Sequence, residues 1–170
     1  MKNRKLTLIS PELGELLVKQ VAHELKNRNL YLSYANYFSI EGVLDLEEYY
    51  RKRAEEENRH HQWIMDYLSE GDYKFMYPAV EQNTEKVENY VDPFKQTIER
   101  EILTTDMIYV IYDQAIEEKD HMTASWLYKL LINEQSEEEN ISRGALVIIE
   151  EEGANIFSKA ERILDLLSKK

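Results

Sequence analysis

Apolar side chains recur along this chain at three- and four-residue intervals in four long stretches, the period of α-helices that bury one side. The first covers about residues 11–39, with an inner stripe of Leu17, Val21, Glu24, Arg28, Tyr31, Ala35 and Phe38. Ser10 can cap its free N–H groups, and Pro11 suits the first turn. The second covers about 46–70 and stops at Gly71; its stripe is Leu46, Tyr50, Arg53, Glu57, His60, Ile64 and Tyr67. The third covers about 93–119, started by Asp92-Pro93, with Phe94, Ile98, Glu101, Thr105, Ile108, Tyr112 and Ala115 inside. The fourth covers about 122–152, with Leu127, Leu131, Glu134, Glu138, Ile141, Ala145 and Ile148. A short fifth helix, about 156–168, follows Gly153.

The connections set the topology. Short turns join helices one and two, and three and four, so each pair is an antiparallel hairpin. Between the hairpins, about 72–92, lies DYKFMYPAVEQNTEKVENYVD, weakly helical and long enough to travel the length of a bundle. The expected fold is all-α: a four-helix bundle with one long crossover and a short fifth C-terminal helix. The chain reads as a single domain over 1–170.

Glutamate occupies inner positions where a core calls for leucine: Glu24, Glu57, Glu101, and Glu134 or Glu138, one helix after another. One such residue is unremarkable in an acidic chain. Four at mid-helix depth are not, because an unpaired buried carboxylate costs several kcal/mol and the four repel one another. Two divalent cations balance them charge for charge. Glu57 and His60, three apart, share one helix face. Hard oxygens with one imidazole suit iron or manganese. In the run RAEEENRHHQW (53–63), Glu57 faces the axis, Glu56 lies at the edge of that face and Glu55 points away. His61 is read as a partly exposed polar residue.

Composition narrows the function further. The net charge of −12 argues against a nucleic-acid partner and favours one that attracts cations. No cysteine is present, which excludes disulfides, thiolate metal sites and a cysteine nucleophile. The stretch MKNRKLTLISPELG lacks the apolar run of a secretory signal, and ALVII (145–149) is too short to span a bilayer. A cytoplasmic protein with no membrane partner is expected.

The motifs HELKNRNLYLSY (23–34), RAEEENRHHQW (53–63), EREIL (99–103) and NEQSEEEN (133–140) together resemble the ferritins, specifically the bacterial non-haem kind, over about residues 12–167. The resemblance implies a ferritin-like bundle with a di-iron ferroxidase centre. Its first iron would be held by Glu24, Glu57 and His60. Glu57 would bridge to a second iron completed by Glu101 and Glu138. Gln135 would hold a water or peroxide, and Tyr31 could supply an electron. A third iron site of bacterial members is matched by Glu56, Glu134 and Glu137, with Glu138 shared. The resemblance further implies iron storage: Fe(II) is oxidised by O2 or H2O2, and mineral is kept inside a homo-oligomeric shell of twenty-four subunits. The last helix packs around the four-fold axis of that shell.

Helix four carries no second Glu-x-x-His, unlike bacterioferritins and rubrerythrin-like proteins. Asn58 stands where bacterioferritins place a haem-ligating methionine, so no haem is expected. Ser125 and Tyr128 replace the acidic channel residues of many animal ferritins, although Asp120 and His121 lie nearby. Arg28 lies on the inner stripe of helix one, and the sequence leaves open whether it pairs with a carboxylate. Trp63 and Trp126 read as core or subunit contacts, and Glu150-Glu151-Glu152 as solvated. Two competing readings stay open: a peroxide-reducing di-iron enzyme on the same bundle, and a metal-free helical scaffold.

Overall fold

The computed structural model describes residues 8–169. The reading of the N-terminus as leaderless falls largely on residues 1–7, outside them, as does Lys170. α1 (Pro11–Ile40) begins where the Ser10 hydroxyl accepts from the Leu13 N–H at 3.1 Å. Gly42, at φ 73°, makes the tight reversal into α2 (Leu44–Glu70), where a side chain would be strained.

The crossover after Gly71 has no regular element until α3 (Asp92–Glu117). It runs beside α1 from one end of the bundle to the other. The Tyr73 hydroxyl reaches the Pro11 carbonyl, the Asn83 amide the Lys26 carbonyl, and the Tyr90 hydroxyl the Glu41 carboxylate. α3 therefore starts beside the α1 C-terminus and runs antiparallel to α1, with Phe94 against Phe38 and Thr104 at His23.

The fourth rod is not one regular helix. It comprises α4 (His121–Leu127), a π-helical turn (Tyr128–Ile132) and α5 (Asn133–Glu150). α6 (Ile156–Leu166) folds back on α5 and α2, burying Ala160 and Ile163. The Lys159 ammonium donates to the Ile149 carbonyl (2.8 Å) and to that of Glu151, capping the open end of α5. No described helix is long and apolar enough to cross a membrane.

The fourth rod buries Leu127, Leu131, Gln135, Glu138, Ser142, Ala145 and Ile149. Glu134, Ile141 and Ile148, expected inside, are half-buried, and the two isoleucines pack against the core from its edge. A helical period near 3.6 lets either of two adjacent residues fill such a place.

The core is divided. One apolar cluster, including Leu30, Phe38, Tyr50, Phe94, Ala145 and Ile163, fills the Gly42 end. Another, including Leu13, Leu17, Ile64, Leu68, Ile111 and Leu127, fills the opposite end. Glu24, Glu57, His60, Glu101, Gln135 and Glu138, buried and polar, lie in the seam between them.

Candidate metal centre

Each long helix delivers polar groups to that seam because helical spacing keeps them on the inner stripe. α1 supplies Glu24, α2 Glu57 and His60, α3 Glu101, and α5 Glu138; none is more than 3% exposed. Three sets of donor atoms lie within 4.8 Å of one another: Glu24–Glu57–His60, Glu57–Glu101–Glu138 and His60–Glu134–Glu138. Glu57 is shared by the first two sets. His60 Nδ1 is 3.7 Å from Glu57 Oε2, and its Nε2 is 3.5 Å from Glu138 Oε1.

These groups are poised for cations. Glu24 Oε1 accepts from Gln20 Nε2 at 2.6 Å, but Glu24 Oε2 and Glu57 Oε2 are buried and accept from no amide, guanidinium or hydroxyl donor among the described residues; the two carboxyls bond to each other. Such groups are costly unless something else satisfies them. Burial, and then the neighbouring Glu57, pushes the Glu24 carboxyl well above the usual range. Glu57 is raised by burial and then by Glu101, and Glu138 by burial. Hard oxygens with one imidazole form a donor set suited to Fe(II) or Mn(II).

Glu101 is in a different state. Its Oε1 accepts from the Tyr31 hydroxyl and from Arg53 Nη2, each at 2.5 Å, and its Oε2 from Gln135 Nε2 at 2.8 Å. Burial, and then the Glu101 charge, raises the Tyr31 phenol well above its ordinary value, so it stays a donor. A cleft of about 360 Å³ opens between α3 and the π turn, lined by Thr105, Tyr109, Tyr128, Gln135 and Glu139 among others.

The structure groups Glu24, Glu57, His60, Glu101 and Glu138, with Tyr31 and Gln135 hydrogen-bonded to Glu101. The four residues matched to a third iron site have different surroundings. Glu134 and Glu138 meet His60, Glu56 lies 3.3 Å from Arg53 Nη1 and 3.8 Å from Arg59 Nη2, and Glu137 is exposed. Arg28 pairs with no inner carboxylate; it donates to Asn29 and Asn58 on the α1–α2 face. His61 is buried rather than partly exposed, at 6%, because α1 covers that side of α2. Asp120 is engaged as the α4 cap, accepting from the Thr123 N–H (3.0 Å) and hydroxyl (2.5 Å).

Arg53 was the residue that sequence reasoning passed over. It stands on the inner stripe one turn before Glu57, a position that was its available signal, and it is 1% exposed. Burial opposes its charge, but Glu101 and then Glu138 more than offset this and raise its pKa further. Its guanidinium lies 5.7 Å from the Tyr31 ring centroid. His23, also passed over, is 2.7 Å from the Thr104 hydroxyl and 3.2 Å from the Asn27 amide, and burial lowers it to about 4.

Comparison with known proteins agrees with this architecture. The family model for the ferritin-like domain matches residues 14–151. The chain belongs to the ferritin family. It is similar to the bacterial non-heme ferritin of Campylobacter jejuni, 28% identical over 167 residues, 96% of this chain and 99% of that one. The corresponding protein of Bacteroides fragilis is 27% identical over 151 residues, 88% and 94% of the two chains. Among solved structures, the open pore ferritin of the archaeon Archaeoglobus fulgidus superposes with a TM-score of 0.86 at 26% identity, covering 94% of this ferritin and 98% of that one. The fold class read from the sequence holds: an all-helical bundle with one long crossover and a short C-terminal helix.

Proposed function

We propose that this ferritin stores iron, taking up Fe(II) as substrate at the inner carboxylates, oxidising it, and keeping the ferric product as oxyhydroxide mineral inside a hollow homo-oligomeric shell of twenty-four subunits. The observation that carries the reading is the pair of donor sets sharing Glu57, with buried oxygens of Glu24 and Glu57 that accept from no amide, guanidinium or hydroxyl donor among the described residues. One Fe(II) would sit at Glu24, Glu57 and His60, and a second at Glu57, Glu101 and Glu138. Two Fe(II) give up two electrons; O2 takes them with two protons to become H2O2, or H2O2 takes them with two protons to become two waters.

The chain's own groups favour this direction. Clustered carboxylates stabilise Fe(III) over Fe(II), because the extra positive charge gains most among negative groups in a low-dielectric seam. The Tyr31 hydroxyl and the Gln135 amide keep Glu101 oriented toward the second position. The net charge of −12 attracts Fe(II) to the particle. We assign the protein to the cytoplasm.

The test is aerobic oxidation of Fe(II) by the apo-protein, followed optically, beside a Glu57→Ala variant. Fast oxidation with iron left soluble, slowed at least a hundredfold in the variant, is the expected result. Oxidation no faster than buffer in both proteins would leave the inner glutamates as parts of a scaffold.

A further inference from the structure

A fully buried ion pair is poor value for stability, because the desolvation of both charges cancels most of their attraction. Arg53 and Glu101 form such a pair, 1% and 0% exposed, inside a seam that also has cations to bind. Its effect falls on one half of the seam only. Glu101 has Oε1 occupied by Arg53 and Tyr31, and Oε2 by Gln135. Glu24 and Glu57 each keep an oxygen that accepts from no guanidinium, amide or hydroxyl donor among the described residues. The two metal positions therefore start from different states. With the carboxylates ionised, Glu24, Glu56, Glu57, Glu101 and Glu138 together with Arg53 carry −4. Two divalent cations balance that charge, and the second would lie close to the guanidinium. Arg53 has somewhere to go: Nη1 already lies 3.3 Å from Glu56 Oε2, and the Ser142 hydroxyl is 3.4 Å from Nη2.

We propose that Arg53 is a resident counter-ion that makes the two positions unequal. It holds Glu101 closed to a cation, so the first divalent ion enters at Glu24–Glu57–His60. A second reaches Glu57–Glu101–Glu138 only as the guanidinium leaves Glu101 for Glu56. Arg53 is thus a positioning residue that sets the order of filling. The inference rests on the metal-centre reading above.

The experiment is an anaerobic titration of the apo-protein with Co²⁺, followed by calorimetry and by the visible absorption of bound cobalt. The wild type should bind one Co²⁺ per chain tightly and a second at least tenfold more weakly. Glu24→Gln should weaken the tight step and identify it. Arg53→Gln should bring the two constants to within threefold, chiefly by tightening the second, whereas Arg53→Lys, which keeps the charge, should preserve the gap. An unchanged gap in Arg53→Gln, or equal weakening of both steps, would overturn the proposal. If Arg53→Gln folds only with metal present, it is loaded with Co²⁺ and stripped with a chelator. Release in one phase, against two for the wild type, is expected, and two phases would count against it. Failure of the wild type to bind Co²⁺ at all would instead remove the metal-centre reading itself.

Discussion

At the scale of single residues, the buried glutamates bind protons more tightly in the folded apo-protein than in the unfolded chain. Burial raises Glu24 and Glu57 well above the ordinary value of 4.5. A carboxyl whose folded value is raised gives full stability below its unfolded value and loses it as pH climbs through the folded one, because the native state then holds the excess protons. The apo-protein should therefore lose thermal stability as pH rises from about 4.5 to 8. Zn²⁺ should restore it near neutrality by binding only the folded state. Glu57→Gln should flatten the pH slope and abolish most of the Zn²⁺ effect, as read by calorimetry. A variant with the wild-type slope and an undiminished Zn²⁺ shift would place the burden on other groups. The ligating candidates were legible in the sequence because a helix repeats its face every three or four residues, so that Glu24, Glu57, His60 and Glu101 read directly as inward. Arg53 was equally inward by that rule. Its partner was not legible, because an ion pair between α2 and α3 depends on relative depth, which no local spacing records. The role of Arg28, which the sequence left open, was not legible for the same reason: its partner Asn58 lies on α2.

At the scale of elements, the hairpins and the crossover follow from pattern, caps and turn residues, and the helix limits fall within about two residues of the expected ones. The fourth rod departs because periodicity alone reports no change of pitch, so the π turn at Tyr128–Ile132 was not legible. Beyond it, Glu138 and Ala145 are buried as expected, while Gln135, Ser142 and Ile149 are covered more fully than their neighbours Glu134, Ile141 and Ile148. A π turn holds a residue more than a regular turn, which makes deletions there unequal to deletions elsewhere. Removing the exposed Lys129 should convert the turn to regular α-helix while keeping Gln135, Ser142 and Ile149 inside. Removing Ile141 should rotate the rest of α5 by about 100° and take Ser142, Ala145 and Ile149 off the core. We expect the first deletion to lower the melting temperature by a few degrees at most and the second by about 10 °C or more, since several core side chains at about 2 kcal/mol each are lost. Equal losses would mean that the π turn is held for its cleft rather than tolerated as an insertion.

At the scale of the whole molecule, every candidate ligand of the centre comes from one chain, which under the proposed function separates oxidation from storage. Nothing at Glu24, Glu57, His60, Glu101 or Glu138 requires a neighbouring subunit, whereas a mineral needs an enclosed space. The outer face of the α1–α2 hairpin carries Leu32, Ile40 and Leu44 at 41%, 76% and 65% exposure, apolar surface that self-association would cover. Leu32 borders a recess with Arg28 and Arg51. Leu32→Arg adds a third cation there, so two such faces brought together repel while the bundle interior is untouched. Light scattering should show the particle falling from the proposed twenty-four chains of 20.2 kDa to a few. Fe(II) oxidation per chain should stay within about twofold of the wild type, and the ferric product should precipitate instead of remaining soluble. If oxidation failed together with assembly, the centre would depend on contact between subunits, contrary to its placement inside one bundle. If small particles still kept iron in solution, storage would not need the shell. Oxidation retained while solubility is lost is the pattern that a centre built within each bundle and a store built between bundles must produce.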